Sequence, residues 1–260
     1  MSLQKNNPSM PLVKLLPNLV TILSLCIGLS SIRFAIEGHW MKSVAFLLFS
    51  GFLDGIDGRL ARFLNSSSEF GAQLDSLIDF VNFGVVPGFI IYMWVNNAAD
   101  VVGFDWGLVL FFSTCMSLRL ARFNVALNKT SERPEIDKYF FRGIPAPCGA
   151  AMMMLPLVLH FQFGPLFCLS EAKFILAYGF ILSILVASTV PTISIKHIPI
   201  RNEFVVLTFL ILAAIAIGLI IKPWLSLAII GTVYGLSIPV TGLIYLKLKY
   251  CKKPCLKKES

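Results

Sequence analysis

Charge is scarce in this sequence: Lys, Arg, Asp and Glu make up 14% of its 260 residues, where soluble domains carry about a quarter. With 57% hydrophobic residues and a mean hydropathy of +0.80, the chain has too little polar surface to cover a water-soluble fold. The six cysteines give no disulfide framework, because Cys26, Cys115, Cys148 and Cys168 lie in or beside apolar stretches and Cys251 and Cys255 in a polar tail. Cys251-x-x-x-Cys255 also lacks the second ligand pair that a zinc site needs. His39, His160 and His197 share no metal-ligand spacing, and there is no internal repeat or low-complexity segment. A Gly-rich phosphate loop is missing, as is any serine or cysteine set beside a base, so group transfer here reads as direct rather than through a covalent enzyme intermediate. The first apolar stretch has no small-residue cleavage site and reads as a retained span.

What the chain does contain is long apolar runs. A bilayer core takes roughly 20 apolar residues per helical span, and eight stretches qualify or nearly so: about 17–36, 43–63, 70–95, 106–126, 145–163, 173–190, 204–221 and 225–246. The expected fold is therefore an all-α polytopic membrane protein of about eight transmembrane helices, one integral membrane domain over residues 1–260. The net charge of +8 is distributed as a topology signal, so no nucleic-acid partner is expected. With the N-terminus placed in the cytoplasm, only Arg33, Lys42, Lys173 and Lys222 of the 22 basic residues fall at or near outer ends. The rest lie inside, among them Lys129, Arg133, Lys138 and Arg142 in one loop and the lysines of a 247–260 tail that can also rest on anionic headgroups. Eight spans then put both termini on the cytoplasmic side.

Only 14 acidic residues exist, and four aspartates crowd into 54–79 within or at the edge of apolar helices. An intramembrane carboxylate costs several kcal/mol unless it faces a cavity, a partner or an ion. Asp54 and Asp57 are three apart on one span, Asp75 and Asp79 four apart on the next, so each pair shares a helix face. The two spans flank a short polar turn, Asn65–Ser68. The midpoint of 57 and 75 is 66 and that of 54 and 79 is 66.5, which at equal rise sets Asp57 level with Asp75 and Asp54 level with Asp79. Four converging carboxylates would repel one another without cations, and their oxygens suit magnesium, manganese or calcium. Gly58 and Ala61 project on the face of Asp54 and Asp57, while Gly71 and Asn82 fall on that of Asp75. Small residues beside a metal site let a flat ligand approach the backbone, and Arg62 can reach a phosphate from near the interface. The competing reading is a helix pair whose acids are matched by arginines, but four acids outnumber the local arginines.

Asp54-x-x-Asp57-Gly58-x-x-Ala61-Arg62, eight residues, then Gly71-x-x-x-Asp75-x-x-x-Asp79 resembles the CDP-alcohol phosphatidyltransferase signature at every defined position. The resemblance implies a six-helix catalytic core, here 15–190, followed by two additional spans in 191–246. It implies transfer of a phosphatidyl or similar group from a CDP-linked donor to an alcohol, with CMP released and divalent metal, Mg2+ or Mn2+ as two ions, held by Asp54, Asp57 and Asp75 with Asp79 nearby. It further implies that Gly58, Ala61 and Gly71 line the cytidine site and that Asp79 is the general base, although two metals could claim Asp79 as a ligand. In the first span, Pro17-Asn18-x-x-Thr21 is similar to the family's entry segment, where Asn18 either bonds the nucleotide or caps its helix. Homodimerisation is a family expectation too.

For the acceptor, the context from Glu69 to Pro87, with Arg119-Leu120-Ala121-Arg122-Phe123-Asn124 and Phe141-Arg142-Gly143-Ile144-Pro145, resembles the bacterial branch that makes phosphatidylserine. Relatives using phosphorylated alcohols carry a lysine right after the last aspartate, and here that position is Phe80. The implied substrates are CDP-diacylglycerol and L-serine, in a bacterial-type cytoplasmic (inner) membrane with the active site facing the cytoplasm. Arg119, Arg122, Asn124 and Arg142 are candidates for the serine carboxylate or a lipid phosphate, or else positive anchors at helix ends. Two other readings compete: a sibling transferase using choline or another small alcohol, and a divalent-cation transporter, which would spread its acids along a crossing path.

Overall fold

The computed structural model describes residues 15–66, 68–98, 103–127, 140–164, 171–189, 191–193 and 204–251. Backbone contacts group the chain into two units, residues 1–82 and 83–260.

The first unit holds α1 (Leu16–Ile36), α2 (Trp40–Phe63) and α3 (Glu69–Asp79). Pro17 sits in the first turn of α1, where a missing N–H costs nothing. Gly38, at φ +74°, closes that helix: its N–H donates to Ala35 O at 3.0 Å and that of His39 to Phe34 O at 2.8 Å. α1 and α2 pack closely along their length because the facing residues are small. Thr21, Ser24, Gly28, Ser31 and Ala35 are buried on α1, and Ser43, Val44, Leu47 and Ser50 on α2. Water supplies no drive for association between lipid-embedded helices, so close small-residue packing and interhelical hydrogen bonds carry it. Ser50 Oγ donates to Ser24 O at 3.0 Å, and Asn82 Nδ2 donates to Ser24 Oγ at 3.0 Å.

α3 starts at Ser68, whose hydroxyl accepts from Gly71 N–H at 3.0 Å, with Glu69 in the first turn favoured by the helix dipole. It runs into a π-helical segment, Phe80–Val85, and then α4 (Val86–Ala98). Glu69–Asn96 is thus one helical stretch of spanning length, but with an under-wound turn directly after Asp79. Within that turn the Asn82 side chain donates to Ser24 Oγ on α1, the same helix whose Asn18 lies beside Gly71.

The second unit continues with α5 (Phe104–Leu127), β1 (Phe140–Arg142), α6 (Ala146–Phe163), α7 (Ala172–Ala187), β2 (Pro191–Ile193), α8 (Val205–Ile221) and α9 (Pro223–Cys251). Strands β1 and β2 form a short antiparallel ladder with Phe140 opposite Ile193 and Arg142 opposite Pro191. α5 packs on α4 and α7, and α6 packs on α4, α7 and α9. Their shared core holds Ile90, Ile91, Phe112, Met116, Met153 and Leu157. Two hydroxyls repair the breaks in these helices. Ser113 Oγ donates to Gly84 O in the π segment at 3.0 Å. Pro156 cannot donate within α6, and Tyr178 Oη donates to the Met152 carbonyl it leaves open, at 2.7 Å.

Among the described residues, five helical stretches are long and apolar enough to cross a membrane, and α7 and α8 are shorter apolar helices. α2 has 24 residues but carries Asp54, Asp57, Arg59 and Arg62 in its C-terminal half. These make up the eight expected spans, with edges shifted by a few residues. α9 continues through Cys251, so the first five residues of the basic tail are helical. α8 buries none of its residues and exposes 82% of Ile220 and 68% of Phe209, which suits acyl chains rather than water. One end of the second unit carries the pairs Tyr92–Trp106, Trp94–His160 and Phe161–Trp224, aromatic anchors of the kind that mark a membrane interface.

Candidate metal centre

Asp54 and Asp57 lie on α2 and Asp75 and Asp79 near the end of α3. α1 packs against both helices, while α2 and α3 make little backbone contact with each other, leaving the carboxylates to converge across the space between them. Carboxylate oxygens of Asp54, Asp57 and Asp75 all lie within 4.8 Å of one another. The fourth acid joins them: Asp79 is within hydrogen-bond reach of Asp54, and Asp57 is the charged neighbour that acts on Asp75. Asp54 with Asp79 and Asp57 with Asp75 are the pairs expected from helix rise, and each pair is among the charged neighbours that act on one another here.

These residues fit a hard cation. Asp57 is 4% exposed, and Asp57 Oδ2 and Asp54 Oδ1 are buried with no hydrogen-bond partner. A buried acceptor-only oxygen without a donor is costly. Three carboxylates within one coordination sphere are the donor set that magnesium, manganese or calcium takes. Among the described residues, Asp54, Asp57 and Asp75 form no ion pair with a basic residue, which disfavours acids matched by arginines. Arg62 instead turns back along its own helix, where its Nε donates to Gly58 O at 3.1 Å.

The first helix supplies the rest of the setting. Thr21 Oγ1 donates to Pro17 O at 3.0 Å and lies within hydrogen-bond reach of Asp57. Asn18 reaches Gly71, where an added Cβ would come within 2.9 Å of Asn18 Oδ1 and 3.1 Å of Ser68 Oγ. Gly58 is the opposite case. A Cβ there would meet nothing within 4 Å, so the backbone beside the carboxylates is bare. Ala61 is half-buried one turn further on. Of the expected binding residues, Asn18 thus lies beside Gly71, and Gly58, Ala61 and Arg62 follow Asp57 within about one turn of α2.

The candidates for acceptor binding lie in the second unit. Arg119 Nε donates to Ile144 O, tying α5 to the segment before α6. Arg122 Nη2 donates to Ala187 O at the end of α7, where last-turn carbonyls lack helical donors. Both arginines thus have an anchoring role at one end of this unit. Asn124 is half-buried on the same helix; the side chain of Arg142 lies outside the described residues, as do Lys129, Arg133 and Lys138. The reading from sequence missed the Ser24–Ser50–Asn82 linkage. Its signal was two serines and an asparagine within apolar spans, where polar side chains mark helix contacts.

The CDP-alcohol phosphatidyltransferase family model matches residues 14–190, and the model described as CDP-alcohol phosphatidyltransferase 2 matches residues 203–239. The chain is similar to the CDP-diacylglycerol–serine O-phosphatidyltransferase of Mycobacterium tuberculosis, at 35% identity over 87% of this chain and 78% of the relative. It is similar to the protein of that name from Helicobacter pylori, at 31% identity over 90% of this chain and 93% of the relative. That of Bacillus subtilis is 31% identical over 58% of this chain and 78% of its own length.

Proposed function

The chain belongs to the CDP-alcohol phosphatidyltransferase family, and on that premise we propose that it moves the phosphatidyl group of CDP-diacylglycerol onto the hydroxyl of L-serine, releasing CMP. The observation that carries the reaction is the cluster of Asp54, Asp57 and Asp75 within 4.8 Å, completed by Asp79. The relatives that match nearly the whole chain carry the serine activity in their names, and Phe80 stands where an acceptor phosphate would want a cation.

Asp54, Asp57 and Asp75, with Asp79 beside them, would hold the divalent metal, two ions of Mg2+ or Mn2+, which would supply charge neutralisation for the pyrophosphate and the departing CMP. The bare backbone at Gly58, with Ala61 and Gly71, receives the cytidine, and Asn18, held at Gly71, bonds it. Arg62 leaves Gly58 O for the donor's phosphate. Asp79 takes the serine hydroxyl proton; the serine oxygen bonds to the phosphatidyl phosphorus as the bond from that phosphorus to the CMP oxygen breaks, and CMP leaves with the electron pair. Arg119, Arg122, Asn124 and Arg142 serve the serine carboxylate or the lipid phosphate. The protein is a multi-pass membrane enzyme; we place its catalytic side and both termini in the cytoplasm, in a bacterial-type inner membrane, and we expect a homodimer.

The test is CMP release by purified protein with CDP-diacylglycerol, comparing serine, choline, glycerol 3-phosphate and inositol, with and without EDTA. Stimulation by serine that EDTA abolishes and Mg2+ or Mn2+ restores is the expected result. Stimulation by another alcohol moves the error to the acceptor side, and metal-independent release sinks the carboxylate reading.

A further inference from the structure

The metal ligands come from two helices that barely touch. The chain joins α2 to α3 at one end, through residues 64–68, and beyond that link the two make little backbone contact. Yet carboxylate oxygens of Asp54 and Asp57 on one helix and Asp75 on the other lie within 4.8 Å of one another. A link at one end does not set the separation at that depth, so the pair has to be held a second time.

Ser24 of α1 supplies that second hold. Its Oγ donates to Ser50 O on α2 at 3.3 Å, and Ser50 Oγ donates back to Ser24 O at 3.0 Å. From the other side, Asn82 Nδ2, in the π-helical segment that continues α3, donates to Ser24 Oγ at 3.0 Å. All three side chains are fully buried. The midpoint of 50 and 82 is 66, the same as that of 57 and 75, so Ser50 and Asn82 are counterparts on the far side of the carboxylates from the link. Gly28, one turn past Ser24, makes the room: a Cβ there would collide with Asn82 Oδ1 and stand 3.1 Å from Ser50 Oγ. The three side chains are neutral, so they set the spacing without competing for a cation. One hydrogen bond between lipid-embedded helices is a modest contribution to stability, whereas metal–oxygen distances have to be met to within about 0.2 Å. Loss of the bond is therefore felt more in the donor geometry than in the fold.

We propose that Asn82 is a positioning residue for the metal centre: through Ser24 it keeps Asp75 of α3 at coordination distance from Asp54 and Asp57 of α2. This rests on the reading of the acidic cluster as a divalent-metal site.

The test is Mn2+ binding by the purified full-length protein in detergent–lipid micelles with CDP-diacylglycerol and no acceptor, read from the electron paramagnetic resonance of free Mn2+, beside thermal unfolding without metal. Asn82→Ala raises the Mn2+ Kd about tenfold, the lower end of what losing a residue that supports metal ligands costs. In turnover with serine, the Mn2+ concentration for half-maximal CMP release rises by the same factor, and excess Mn2+ restores most of kcat. Ser24→Ala has a like effect, and the double variant adds little to either change, because each removes the Asn82–Ser24 bond. Val44→Ala is the packing control. Val44 is fully buried on α2 and well away from Asp54, and its truncation lowers the unfolding midpoint without moving the Kd. An unchanged Kd in Asn82→Ala, an equal shift in Val44→Ala or an additive double variant overturns the positioning role. A parent protein that binds no Mn2+ removes the underlying metal reading as well.

Discussion

Replacing Gly58 by alanine separates a ligand surface from a packing surface. Gly58 lies mid-helix in α2 and nothing in the protein stands within 4 Å of where its Cβ would go. The substitution therefore creates no internal clash, and the helix gains roughly 0.5–1 kcal/mol from the lower backbone entropy of the unfolded chain. If the cytidine lies against this backbone, the methyl group meets the ligand instead, at an overpacking cost of about 1–3 kcal/mol. That cost corresponds to a donor KM raised roughly 5- to 150-fold. The interaction lost is made in ground and transition state alike, so kcat at saturating donor stays within about threefold. Gly55 is the control: it is on the same helix, its Cβ position is equally open, and it is turned away from Asp54 by about 100°. Steady-state CMP release with varied CDP-diacylglycerol, beside thermal unfolding in detergent, reads both effects. An unchanged donor KM in Gly58→Ala, or an equal rise in Gly55→Ala, refutes the assignment of Gly58 to the nucleotide.

Two further perturbations address the carboxylates and the scaffold beneath them. Asp79→Asn lowers turnover by about 10²-fold or more, the usual weight of a general base, while CDP-diacylglycerol binding by equilibrium titration survives better than in Asp54→Asn; equal loss of binding in both variants removes the base assignment. Gly28→Ala drives a Cβ to 2.1 Å from Asn82 Oδ1, and the forced separation of α1 from the third span lowers stability by about 2 kcal/mol, read as a lower unfolding midpoint in detergent; a midpoint at or above that of the parent protein would show that α1 gives way freely.

The parts of this site that could be read from residue spacing share a physical cause. Carboxylates are expensive in a bilayer, so four aspartates within 26 residues, in a chain with only 14 acids, stand out where the same run in a soluble protein would not. The fixed rise of a helix then converts position into depth, and convergence of the two helices' aspartates follows by arithmetic, as the cluster of Asp54, Asp57 and Asp75 shows. Spacing did not show the winding past Asp79: Phe80–Val85 reads as ordinary apolar helix, because no residue type in Phe-Val-Asn-Phe-Gly-Val specifies an i→i+5 bond.

What else stayed hidden depends on contacts distant in sequence. Arg119 and Arg122 read equally as anion ligands and as anchors, and only the fold shows their guanidinium groups on Ile144 O and Ala187 O. The same reasoning applies to α1. Its serines look unremarkable among leucines, yet they set the spacing of α1 against α2 and receive Asn82, while Asn18 and Thr21 at its start reach Gly71 and Asp57. The helix with no charge between its first residue and Arg33 is thus the one that packs on both acidic helices, and the geometry of the carboxylates is set from a span that carries none of them.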